Sequence, residues 1–200
     1  MEYIAHRINT VAELKELPGE YGIELDLRDG LDGRIYIQHN PFEPGEDFEE
    51  YLKNYGHGTM ILNIKSERIE FKALEMLRKY NVRQYFFLDS SFPMIYLLSG
   101  MGEKHVAIRI SELEGLDTAR KMAGRANWIW VDCFTRIPIG KPEYAELRSL
   151  GYRLCFVSPE LEGRDEDIEH YARKIVDMDM RMDAVCTKTY NIERWKHLLL

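Results

Sequence analysis

At 200 residues, with 45% apolar side chains and three tryptophans, the chain is long enough to bury a sizeable core and reads as one domain over 1–200. A formal charge of −7 with no basic stripe argues against a nucleic-acid binder. No apolar run approaches the ~20 residues of a membrane span, and MEYIAHR lacks the layout of a secretory signal.

The predicted elements alternate along the chain. A first strand over Tyr3–Ala5 ends in His6-Arg7. In Gly22–Leu27, Ile23, Leu25 and Leu27 alternate with Glu24 and Asp26, so a strand's period of two points both carboxylates to one face. Two acids there repel unless a cation or a proton lies between them. The Asp32-Gly33 turn predicts a hairpin arm returning through Tyr36–His39. Pro41–Asp47 then runs almost straight into a helix. Further strands are predicted over Thr59–Ile64, Gln84–Leu88, His105–Ile110, Trp128–Val131, Arg153–Val157 and Ala184–Thr187. Helical periodicity covers Ile69–Tyr80 and Asp165–Met178, with Asp165 or Asp167 as the cap of the latter. Eight strands alternating with helices predict a parallel sheet closed into a small (β/α)8 TIM barrel. No Gly-rich phosphate loop follows the first strand, which weakens a doubly wound alternative. Cys133, Cys155 and Cys186 sit among apolar neighbours and read as reduced core thiols of a cytoplasmic protein.

His6, Glu24 and Asp26, Asn63 and Lys65, Asp89, Arg109, Asp132, Ser158 and Glu160, and Lys188 all fall at or just past the C-terminal end of a predicted strand. In a (β/α)8 barrel that rim gathers the catalytic groups. For Asp89 and Asp132 the competing reading is a helix cap or an ion-pair partner. Arg109, inside an apolar strand, either binds phosphate or pairs with Glu24 or Asp132. The segment Phe156–Arg164 reads as a rim loop in which Glu160 meets substrate or metal. Tyr85-Phe86-Phe87, Trp128 and Trp130 read as core. His57, His105, His170 and His197 have no comparable company.

The ordered set His6-Arg7, Asn9-Thr10, Glu24-Leu25-Asp26, Asp32-Gly33 and His39-Asn40 resembles the glycerophosphodiester phosphodiesterase family of phosphatidylinositol-phospholipase-C-like TIM barrels. Leu62-Asn63-Ile64-Lys65 resembles that family's third strand with its Glu-x-Lys. The match covers roughly the first third of the chain; beyond it the likeness lies in the strand rhythm. Ile8 stands where the family has Gly, and Asn63 where it has an acid. Lys188 stands where members often carry Asp, and the usual insertion after the second His is missing, which predicts an open, shallow site.

The resemblance implies a metal-dependent phosphodiesterase acting on a glycerophosphodiester-like substrate. His6 and His39 are its candidate acid and base, in either order, because imidazole titrates near neutral pH. Glu24, Asp26 and Asn63 are candidate ligands of Mg²⁺ or Ca²⁺, hard cations that take oxygen donors, and the uncharged amide should lower affinity. Arg7, Lys65 and Arg109 are candidate phosphate binders, and Asp132, Glu160 and Lys188 candidate rim residues. The nucleophile is either water or a neighbouring hydroxyl of the substrate. The substrate is a small phosphodiester or a glycerol-phosphate-containing glycan, and an open site tolerates the bulky or polymeric diester better than it encloses the small one. The alternative is a non-catalytic barrel that binds a phosphorylated ligand, for which Asn63 and the missing insertion speak. The retained imidazoles and paired acids favour the enzyme. Oligomeric state leaves no signal.

Overall fold

A computed structural model describes residues 1–199. Its strands are β1 (Glu2–Ala5), β2 (Gly22–Asp29), β3 (Ile35–Ile37), β4 (Glu46–Asp47), β5 (Met60–Ile64), β6 (Tyr85–Leu88), β7 (Ala107–Ile110), β8 (Trp128–Val131), β9 (Arg153–Val157) and β10 (Ala184–Thr187). Its helices are α1 (Val11–Glu16), α2 (Phe48–Leu52), α3 (Glu70–Lys79), α4 (Phe92–Gly100), α5 (Asp117–Met122), α6 (Lys141–Ser149), α7 (Ile168–Asp177) and α8 (Ile192–Leu198).

Eight strands run parallel around a ring. β1 pairs with β2 and with β10, β2 with β5, and β5 with β6. On the other side β7, β8, β9 and β10 pair in turn. Between β6 and β7 the pairing narrows to one bridge, Phe87 with Val106, where the Phe87 N–H donates to the His105 carbonyl at 2.8 Å. That one bridge brings β6 beside β7 but leaves a seam in the predicted barrel, past which no ladder joins the two strands.

The hairpin arm is present and its place matters. β3 pairs antiparallel with the end of β2, Leu27 opposite Ile37 and Asp29 opposite Ile35. Leu27 also pairs with Ile64 of β5, so β3 must take the other edge of β2, the edge β1 occupies lower down. The chain therefore returns onto the end of β1, and only residues 40–47 separate His39 from α2.

The alternation of each strand divides the core in two. Ile4, Ile61, Phe86, Ala107, Trp128 and Cys186 belong to a cluster that fills the barrel, with Phe86 stacked on Trp128 at 4.5 Å. Their strand neighbours Leu25, Leu62, Phe87, Ile108, Ile129 and Val185 face the helices. α7 answers with Ile168, Tyr171, Ala172 and Ile175, spaced as one buried helical stripe. Thr10 and Glu13 form a capping box at α1, and Asp47 accepts the Glu49 and Glu50 N–H groups to start α2. All three cysteines are free and buried. Among the described residues no helix is long and apolar enough to cross a membrane.

Two sequence expectations need correction. Asp167 stands at the N-cap position of α7, but neither its carboxylate nor that of Asp165 caps the helix. Asp165 accepts from Asn191 and Arg194, and Asp167 from Arg164, so a 3₁₀ turn over Asp165–Asp167 leads into the helix without a side-chain cap. A guanidinium within reach outcompetes a backbone N–H for the carboxylate. β7 begins at Ala107 rather than His105, because the His105 N–H and ring are both taken by the Glu103 carboxylate at 2.7 Å.

Candidate active site

Most inward rows of strand residues continue, at the C-terminal end, into polar side chains of the same parity. Ile4 is followed by His6, Gly22 by Glu24 and Asp26, and Ile61 by Asn63 and Lys65. On the far side Ala107 leads to Arg109, Trp130 to Asp132 and Cys186 to Lys188. The rim is thus built by the same period of two that fills the barrel below it.

Glu24 and Asp26 are each only 1% exposed. Glu24 accepts the Arg7 backbone N–H and the Asn63 amide N–H, both at 2.8 Å. Arg7 reaches it from a left-handed conformation, φ 59°, which an L-residue adopts at a cost. Asp26 is clamped by Asn9, whose amide donates to Oδ2 at 2.9 Å and accepts the Asp26 N–H at 3.1 Å. Burial and then the adjacent Asp26 charge push the Glu24 carboxyl up to about 7. Two buried oxygens, Asp26 Oδ1 and Asn63 Oδ1, have no hydrogen-bond partner. Paired acids that repel, beside two unpartnered oxygens, are the donor set a hard divalent cation takes. Among the described residues no three His, Cys, Asp or Glu side chains converge on one point, so any such site rests on two carboxylates and an amide.

Cations ring this pair. Lys65 Nζ lies 3.6 Å from Asp26 Oδ1 and 3.8 Å from Asp89, and Arg7 Nε lies 3.5 Å from Asp26 Oδ2. Lys188 Nζ sits 3.0 Å from His6 Nδ1, while His6 Nε2 faces Glu24 at 3.7 Å. An ammonium can only donate, so Nδ1 accepts and the ring proton belongs on Nε2. Burial, then Lys188, Arg7, Lys65 and His39, hold His6 down to about 3, so it is uncharged at neutral pH. His39 arrives on the arm, half-buried, with Nδ1 2.9 Å from Asn40 Oδ1. Arg28 fixes that approach. Its guanidinium donates to the His39 carbonyl at 2.8 and 3.2 Å and to the Lys65 carbonyl at 2.9 Å.

The far side is differently made. Arg109 donates to Asp132 at 2.7 Å and also to Asp89, so of its expected partners it meets Asp132 and not Glu24. These ion pairs, not helix caps, are what Asp89 and Asp132 make. Burial outweighs the Arg109 charge and raises the Asp132 carboxyl to about 6. Glu160 is buried and accepts from the Ser158 and Thr187 hydroxyls and from the Lys188 N–H at 3.0 Å. It is turned inward, holding the turn that presents Lys188. Sequence reading took Asn9 only as part of a motif and passed over Arg28. Asn9 at least carries a signal, an amide between a strand end and a capped helix.

The same architecture recurs in solved structures. The chain is similar to a glycerophosphodiester phosphodiesterase from Parabacteroides distasonis, with TM-score 0.70 and 15% identity over 99% of this chain and 96% of that one. It is similar to one from Agrobacterium tumefaciens, with TM-score 0.61 and 17% identity over 94% and 96%. A third, from Thermotoga maritima, gives TM-score 0.58 and 18% identity over 92% and 93%. The chain has the glycerophosphodiester phosphodiesterase fold. No family model and no curated protein matches the sequence. On this barrel, then, His6, Arg7, Glu24, Asp26, Asn63, Lys65 and Lys188 form one contiguous group around β1, β2, β5 and β10. Asp89, Arg109 and Asp132 form a second group, joined to it through Lys65.

Proposed function

We propose that the protein is a metal-dependent phosphodiesterase that hydrolyses a glycerophosphodiester-like substrate. The observation that carries this reading is the His6 ring, 3.7 Å from Glu24 of two adjacent buried carboxylates, enclosed by Arg7, Lys65 and Lys188. Three cations around a neutral imidazole make a receptor for an anion. A bound diester offsets their charge, and His6 then becomes able to take a proton.

Glu24, Asp26 and Asn63 would hold Mg²⁺ or Ca²⁺, which when bound offsets negative charge on the phosphoryl oxygens. Arg7 and Lys65 bind the same oxygens, whereas Arg109, flanked by Asp89 and Asp132, has less charge to offer them. His6 accepts the proton of the nucleophile, either water or a neighbouring substrate hydroxyl, at Nδ1, which Lys188 Nζ vacates as it turns to the phosphate. As the P–O bond breaks, His39 gives a proton to the departing alkoxide. Having only residues 40–47 after His39 leaves that side open to small diesters and to a glycerol-phosphate-containing glycan alike. Three buried free thiols accord with the reducing cytoplasm.

The test is hydrolysis of glycerophosphodiesters with Mg²⁺, Ca²⁺ or EDTA. Turnover should vanish in EDTA and fall by about 10²–10⁴-fold in His39→Ala. A folded protein that binds phosphate esters yet turns over none of them with any metal would instead favour the non-catalytic barrel.

A further inference from the structure

The barrel wall is open beside the site. Past the Phe87–Val106 bridge β6 and β7 are unpaired, and a cleft of about 460 Å³ lies between them. It reaches from Leu88 and Ala107 on the barrel side to Ile95 of α4 and Thr118 of α5 on the helix side. That volume is in the range of small-molecule pockets.

Its buried lining is apolar, Leu88, Ile95, Ala107 and Ile108, with one exception. Ser90 is 9% exposed, and its hydroxyl has no partner. A buried hydroxyl left unpaired is costly, so this one is a vacancy for a ligand's polar atom. The mouth is charged. Asp89 and Arg109 line it, and through Lys65 they connect to Asp26. Phe92, exposed, stands at the same opening.

We propose that this cleft is the subsite for the non-reacting arm of the diester, and that the arm is a single alkyl or acyl chain bearing a hydroxyl or ester oxygen. This rests on the phosphodiesterase reading above. Lys65, which reaches Asp89 at the mouth, meets the phosphate end, Ser90 meets the oxygen, and the apolar floor takes the chain. A wholly polar arm would set Leu88, Ile95 and Ile108 against polar atoms and gain nothing from them.

The test compares kcat/KM for two diesters with the same head group, one carrying an acyl chain and one not. The wild type should favour the chain-bearing diester by at least about tenfold. Thr118→Trp, which fills the cleft from its helix side, should bring that ratio near one; Ile95→Phe does the same from the opposite wall should the first variant fold poorly. Offering the chain-bearing diester as monomers and again in vesicles separates a soluble amphiphile from one drawn from a bilayer. Preference in either form supports the subsite. No preference in both, or a ratio unmoved by the folded variants, overturns it. Binding of a monoacyl glycerophosphocholine below its micelle concentration, in EDTA, needs no turnover. Binding lost in Thr118→Trp from a protein that hydrolyses no diester would keep the subsite and remove the phosphodiesterase reading. Hydrolysis without that binding would do the reverse.

Discussion

Glu24 and Glu160 are both buried carboxylates at the same barrel rim, and they live opposite lives. Glu160 receives two hydroxyls and a backbone N–H, and it holds together β9, β10 and the turn that presents Lys188. Glu24 lies against a second acid, is pushed up to about 7, and sits among oxygens with no partner. A satisfied buried acid is scaffold. Glu24 also accepts two hydrogen bonds, but it faces a second acid beside the unpartnered Asp26 Oδ1 and Asn63 Oδ1, an arrangement that costs stability unless a cation or a proton comes between them. The β9–β10 side of the rim is finished by folding, and the β1–β2–β5 side is not.

That contrast can be broken by substitution. Glu160→Leu strands the Ser158 and Thr187 hydroxyls and the Lys188 N–H, and urea denaturation should show a loss of about 3 kcal/mol. An unchanged midpoint would make Glu160 no scaffold at all. Glu24→Gln should behave oppositely. It removes a repelling buried charge, so in EDTA at pH 8 the protein should gain about 1 kcal/mol, while turnover with metal falls by at least about 100-fold. Arg28→Ala frees the arm that carries His39, and kcat should drop about tenfold with KM little changed. A KM effect alone would place Arg28 in binding instead.

The pH dependence sharpens the comparison further. Glu24 binds its proton more tightly folded than unfolded, where its value is near 4.5. Its contribution is therefore present in full below about pH 4.5 and is lost as pH rises to about 7. Glu103, held by His105 and Tyr85 down to about 2, has the opposite sign, and its contribution is lost as pH falls from about 4.5. Chemical denaturation of metal-free protein across this range should show the upper loss in the wild type and not in Glu24→Gln.

Much of the rim was legible because strands report parity. Glu24 and Asp26 share a face for the same reason that Ile23 and Leu25 share the other, and Asn63, Arg109 and Lys188 follow inward apolar residues by two. What was not legible depends on pairings distant in sequence. Lys188 meets His6 across the β1–β10 ladder, and His39 is delivered by β3 taking the free edge of β2. Neither is written in local spacing. Glu160 was misjudged for a related reason, since its donors come partly from Thr187 and Lys188 on another strand. The seam beside Ser90 is a pairing that is missing, which no strand's own pattern announces.

The most direct test of the account is thermal unfolding of the wild type and of Glu24→Gln, with EDTA and with millimolar Mg²⁺ or Ca²⁺. A cation that completes the β1–β2–β5 side binds only the native state, so it should raise the wild-type Tm by several degrees and leave Glu24→Gln where it was. A wild-type Tm indifferent to both cations, or a Glu24→Gln protein that responds equally, would contradict the claim that the paired acids await a metal.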